Sequence, residues 1–211
     1  ILYRQSIIDG LYKSIDDDEK KEKYIHNIFF PMNTKVLENK DRHFLSNLWL
    51  LDDKFMGYVK AYSDISVGKI SKDFERLNIC KKRPDMVMFY NTIEDKSKNV
   101  VMVELKGANA SSDEKSKAIT ELPNDIASLR KELCEKVNAV WGYIITLVDN
   151  SLSESLVNQD YKQLFASDGE NKMFYQYYKN VNAHIYVIDL KTICSDAYAR
   201  NKTFLDILKQ K

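Results

Sequence analysis

Two short apolar runs with a polar stretch between them set the pattern at the middle of the chain. Met86-Val87-Met88-Phe89-Tyr90 and Val100-Val101-Met102-Val103 flank the mostly polar segment 91–99, which predicts two strands joined by an exposed turn. Side chains alternate across a strand, so Met102, Glu104 and Lys106 share one face while Val101, Val103 and Leu105 take the other. Upstream, Ile7, Ile8, Leu11, Tyr12 and Ile15 recur at helical spacing within residues 1–30. Asp16-Asp17-Asp18 reads as a break and an N-cap for a second helix, from about Glu19 to Phe30. That helix carries Tyr24, Ile25, Ile28 and Phe29 as its apolar stripe, places Glu22 and His26 four apart on one face, and ends before Pro31. Leu45 to Leu51 is apolar enough to belong to the core or to an interface. Phe55, Tyr58, Val59 and Tyr62 fit a helix with one buried face, ended by Ser63-Asp64.

After Lys106, Gly107 to Ser112 reads as a small-residue loop that lets a substrate backbone approach. Ile126, Leu129, Leu133 and Val137 mark a helix from about Asn124 to Asn138, followed by a β-branched and aromatic strand over Val140–Val148. Leu156, Tyr161, Leu164 and Phe165 lead to the aromatic group Phe174 to Tyr178, a strand over His184–Ile188 and a closing helix from about Leu190 to Leu208. A leading helix followed by strand, strand, helix, strand predicts an α/β fold with a mixed central sheet flanked by helices. The core is expected over about 20–150, with 151–211 as an extension of the same single domain. No repeat or low-complexity linker divides it.

Composition narrows the classes. The 211 residues are 44% hydrophobic and 30% charged, which suits a packed core and argues against wholesale disorder. A net charge of +1 means that any grip on nucleic acid must come from local patches. The segment Lys69–Arg83 is one, with six basic residues against two acidic ones just ahead of Asp85; solvation is its ordinary role. Cys80, Cys134 and Cys194 form no CxxC or zinc spacing and are expected to be reduced core thiols of a cytoplasmic protein. No signal peptide and no run of membrane length is present. The chain opens on Ile1 without a Met, so it is read as a piece of a longer protein.

The chemistry concentrates where the two strands end. Asp85 precedes the first run, and Glu104 and Lys106 leave the same side of the second, in a setting otherwise apolar enough to be a sheet centre. Buried charge is costly unless paired or metal-bound. Two carboxylates and an ammonium brought together by a hairpin suit metal-assisted phosphodiester hydrolysis. Asp85, Glu104 and the backbone carbonyl of Leu105 offer hard oxygen ligands for Mg²⁺ or Mn²⁺. Lys106 can orient the attacking water or offset charge on the phosphate.

Arg83-Pro84-Asp85 and Glu104-Leu105-Lys106 resemble the signature of the PD-(D/E)XK nuclease superfamily, the restriction-endonuclease-like fold. The resemblance implies an Mg²⁺-dependent endonuclease acting on DNA, RNA not being excluded, with Glu22 on the leading helix as a further metal ligand. Nuclease modules of this kind are appended to bacterial ATPases, including anti-phage defence systems, which implies a fused or partner ATPase. The Gln or Tyr that some members carry on the helix after the signature has no equivalent here. Asp64 could approach the site, although ending or capping a helix is its more ordinary role. Lys115, Lys117, Arg130 and Lys131 could touch phosphate, which solvation explains equally well, and the Arg200-Asn201-Lys202 corner could face DNA or a partner, with solvation as the default. Three alternatives stand beside catalysis. One is an inactive PD-(D/E)XK-like module binding nucleic acid or protein through Lys69–Arg83 and the tyrosines of 174–178. Another is packing as the whole role of those tyrosines. The third is a homo-oligomer through Leu48-Trp49-Leu50-Leu51.

Overall fold

The structure, a computed structural model, describes residues 2–15, 17, 22–37, 46–75, 80–91 and 98–209. Eight strands form one mixed sheet: β1 (Thr34–Leu37), β2 (Lys60–Ser63), β3 (Met86–Asn91), β4 (Lys98–Leu105), β5 (Val137–Thr146), β6 (Lys162–Leu164), β7 (Met173–Tyr178) and β8 (Ala183–Asp189). Their spatial order is β1-β2-β3-β4-β5-β8-β7-β6. The first four make an antiparallel meander, and β4, β5 and β8 run parallel. The parallel strands are covered on both faces, which is why they read as nearly continuous apolar runs.

Helices α1 (Leu2–Ile15), α2 (Glu22–Phe29) and α6 (Leu190–Lys209) serve one face; α3 (Val67–Lys72), α4 (Ser112–Leu133) and α5 (Asn150–Asn158) serve the other. The strands split cleanly between the two cores. Val101, Val103 and Leu105 pack with α1 and α2, whereas Val100 and Met102 pack with α4, as the alternation requires. Gly142 lets α4 lie close on the sheet. A Cβ there would stand 2.7 Å from Ile185 Cδ1 and 2.9 Å from Leu122 Cδ2.

Helix α4 begins twelve residues before the expected start at Asn124. Ser111 and Glu114 close a capping box on its first turn, and Lys115, Ala118, Ile119 and Leu122 continue the stripe of Ile126, Leu129 and Leu133 back through Pro123. The Ser-rich start and the internal proline disguise three turns as loop. The α-helix stops before Cys134, whose φ is 49°; a 3-10 turn over Cys134–Lys136 follows, and 137–138 already belong to β5. The helix expected over Phe55–Tyr62 is a 3-10 turn, Asp53–Gly57, followed by strand β2. Phe55, Tyr58 and Tyr62 are all buried, but an apolar run covered on both sides satisfies either periodicity. Leu48, Trp49 and Leu50 are 0%, 5% and 0% exposed inside the chain's own core, and Leu51 is half-buried against it. Cys194 is buried as expected and Cys80 is half-buried, but Cys134 is exposed. The expected N-cap positions Asp16 and Asp18, the helical start at Glu19, Arg76, Leu45 and turn residues 92–97 lie outside the described residues. No described helix is long and apolar enough to cross a membrane.

Candidate active site

Strand register brings the acids together. Met86 pairs with Val103, so one step further the antiparallel ladder sets Asp85 opposite Glu104 on the face of Val87 and Met102. The ladder has no further backbone partner there, and the Asp85 carboxylate takes its place: Oδ2 accepts the Leu105 N–H at 2.6 Å. Asp85 is fixed from behind as well, because its carbonyl accepts the Asp64 N–H at 2.7 Å. Arg83 ties this corner down, donating to Asp64 and, at 2.6 Å, to Asn33 Oδ1; both acceptors sit on residues of positive φ.

On β4, Lys106 Nζ donates to Glu104 Oε1 at 2.9 Å, and the two side chains are each 19% exposed. The Lys106 N–H donates to Ile145 O on β5 at 2.8 Å. The carbonyl of the same trans peptide, that of Leu105, therefore points the opposite way, toward Asp85. Glu22, on the first turn of α2, reaches the same place: Oε2 accepts the Gly107 N–H at 3.3 Å and lies 4.0 Å from Lys106 Nζ. Gly107 eases this approach, since a Cβ would stand a tight 3.1 Å from Asn109 Oδ1 and 3.3 Å from the Glu22 nitrogen. Asp85, Glu104, Lys106, Glu22 and the Leu105 carbonyl are thus gathered at the carboxyl end of β4.

His26, read from sequence as structural, touches Asp85. Ser63 Oγ has one proton and donates it to Phe30 O at 3.2 Å, so it accepts from His26 Nε2 at 2.9 Å. The neutral ring then turns its Nδ1 lone pair to Asp85 Oδ1, 3.6 Å away. Burial pushes the His26 pKa down to about 4, partly opposed by the Asp64 charge, so the ring does not supply the missing proton near neutral pH. With Asp85 ionised, two acceptors would face one another; a proton on the Asp85 carboxyl fills that contact, and a cation could take the proton's place. The electrostatics point the same way: burial, then the Glu104 charge, pushes Asp85 up to about 8. Burial also raises Glu104, against the pull of Lys106, and Lys106 is held above its ordinary value by Glu104 in spite of its own burial.

Among the described residues, no three His, Cys, Asp or Glu side chains close on one point as a ready metal cage. The donor set is instead two carboxylates and a main-chain carbonyl, with water to complete it. That is how Mg²⁺ is commonly held, and the proton affinity of Asp85, faced by the Glu104 charge and the His26 Nδ1, fits a cation taking the proton's place. Asp64 is among the residues expected to be able to approach the site, and its N–H does reach the Asp85 carbonyl. Sequence reasoning did not find the Asp85 contact of His26, hinted at only by the i, i+4 spacing with Glu22, nor the pairing of Lys82 with Asp125, whose charge acts on Glu104.

The remaining polar candidates have structural work. Arg130 donates to Asn138 O and Asn182 O, Arg200 to Trp49 O and Leu50 O, and the buried Asn201 to Gln5; none of these side chains is brought to the acids. Lys115 pairs with Asp149 and Lys117 with Glu121. No family model, no curated protein and no solved structure matches the chain.

Proposed function

We propose that this chain is a metal-dependent nuclease of the PD-(D/E)XK type, hydrolysing DNA phosphodiester bonds with Mg²⁺ or Mn²⁺. The observation that carries the reading is the confrontation of Asp85 and Glu104 on one face at the end of β4, with raised affinity for protons and the Leu105 carbonyl turned toward them. Asp85, Glu104 and the Leu105 carbonyl would hold the ion, with Glu22 at the edge of the set. The ion supplies Lewis-acid polarisation of the phosphoryl oxygen and a bound water of lowered pKa. Asp85 is preorganised by the Leu105 N–H and Glu104 by Lys106. Lys106, exchanging its bond to Glu104 for one to water or a phosphate oxygen, orients the nucleophile and offsets developing negative charge. Lys82 and Arg83, exposed beside Asp85, are placed to meet flanking phosphates. A partner or fused ATPase and a role in anti-phage defence follow from the superfamily resemblance alone.

A second reading has its own observation. The Lys106–Glu104 ion pair satisfies both groups without any ion, which suits an inactive scaffold binding nucleic acid or protein. Plasmid cleavage with Mg²⁺ separates the two: activity in the wild type that is lost in Glu104→Ala and Lys106→Ala supports the nuclease. Equal cleavage by wild type and both variants removes the mechanism. Mn²⁺ binding that disappears in Asp85→Ala supports the site even where turnover needs a partner.

A further inference from the structure

The face of the sheet away from α4 carries a second feature, toward the opposite end of β4. Strand register aligns Trp141 with His184 and His184 with Tyr177, and likewise Tyr143 with Tyr186 and Tyr186 with Tyr175. The rings stand as plates. Trp141 and His184 lie 5.4 Å apart at 12°, and Tyr143 and Tyr186 lie 5.0 Å apart at 9°. The stack stops at β5, because the next strand offers only Asn99 and Val101 beside Trp141. Beyond them Tyr90 rises from β3, fixed by its hydroxyl bond to Phe55 O at 2.8 Å. The result is a slot of about 400 Å³, floored by β4 and walled by aromatic residues on both sides. Its walls stand on strands about 10 Å apart, room for a flat ring against the open face of Trp141.

We propose that this slot binds a nucleobase, stacked on Trp141 as one more plate of the row. The chemistry at its edges suits a base carrying a phosphate. Asn99 Oδ1 is taken by the Asn138 amide, which leaves the Asn99 amino group to donate to a base acceptor. Among the described residues, no hydrogen bond engages the Tyr143 or Tyr186 hydroxyl, and both residues line the slot. Lys54, shared with Asp52 at 3.1 Å, stands at the rim, where a phosphate can draw it away. Stacking on an aromatic face tolerates any base, so the site selects the chemical class rather than a sequence. The inference does not depend on cleavage, because the slot lies on the other face of β4 from Glu104.

The base can come from a free nucleotide or from a single strand, and titration distinguishes them. AMP, UMP and the neutral sugar maltotriose are titrated calorimetrically in EDTA, and a short labelled oligothymidylate is followed by anisotropy. Saturable binding of a mononucleotide or of the oligonucleotide is expected. It should weaken about tenfold in Trp141→Leu, which keeps volume without a π face, and be largely retained in Trp141→Phe. Thermal melts establish that both variants are folded, and Tyr186→Leu provides a second test of the wall should Trp141→Leu fail to fold. Absence of binding by both probes overturns the proposal. So does oligonucleotide binding indifferent to the wall substitutions, and so does maltotriose binding as tightly as the nucleotides.

Discussion

Asp85 carries two duties that pull against each other. As a hydrogen-bond acceptor for Leu105 it ends the β3–β4 ladder, and as a carboxylate beside Glu104 it carries a charge that burial disfavours. The folded-state pKa is raised from the ordinary carboxylate value to about 8, so the folded chain binds a proton at Asp85 that the unfolded chain has lost. Stability from this group is therefore fully present below about pH 4 and declines as pH rises toward about 8, by at most about 1.4 kcal/mol per pH unit. In metal-free buffer, Asp85→Asn should flatten the fall in stability between pH 5 and 8 relative to wild type. Urea titrations across that range measure it, and parallel curves for the two proteins would contradict the assignment. Asn is the informative replacement, because it keeps an acceptor for the Leu105 N–H where Ala strands the donor.

At the level of elements, α4 and its seat on the sheet decide the geometry of the crossover from β4 to β5. Gly142→Ala forces a methyl against Leu122 and Ile126 of α4 and Ile185 of β8, and overpacking of this kind costs about 1–3 kcal/mol in urea unfolding. Ser111→Ala removes the cap of the same helix and should cost about 1 kcal/mol, read in the same experiment. Legibility in the sequence varied with the same physics. The β3–β4 hairpin and the shared face of Glu104 and Lys106 were readable because a strand's period of two leaves no freedom once the apolar positions are known. The first half of α4 was not, because its cap residues and Pro123 imitate a loop. Strand β2 was not, because a segment buried on all sides loses its period. Glu22 was placed by resemblance alone, and the Ser63–His26–Asp85 contact is a product of tertiary packing that no local pattern records.

For the molecule as a whole, the site is assembled from segments far apart in the chain. Glu22 and His26 come from α2, Ser63 and Asp64 from the end of β2, Asp85 from the approach to β3, and Glu104 to Gly107 from the end of β4. An ion held there binds the folded chain and has no counterpart site in the unfolded one. Mn²⁺ at a hundredfold over its Kd should therefore add about 2.7 kcal/mol, or about 5–10 °C in Tm for a chain of this size. The gain should vanish in Asp85→Asn with Glu104→Gln. A melting temperature indifferent to Mn²⁺ in the wild type would favour the scaffold reading.

The Lys106 amide is anchored on Ile145. Thirty-nine positions of sequence, including all of α4, must be synthesised and docked before that anchor exists. A nascent chain that has completed only the β3–β4 hairpin has all three signature side chains but lacks this brace on the loop that carries the lysine. On the nuclease reading proposed above, the chemistry should accordingly ripen late, after the parallel strands have joined, and an incomplete chain should be unable to cut.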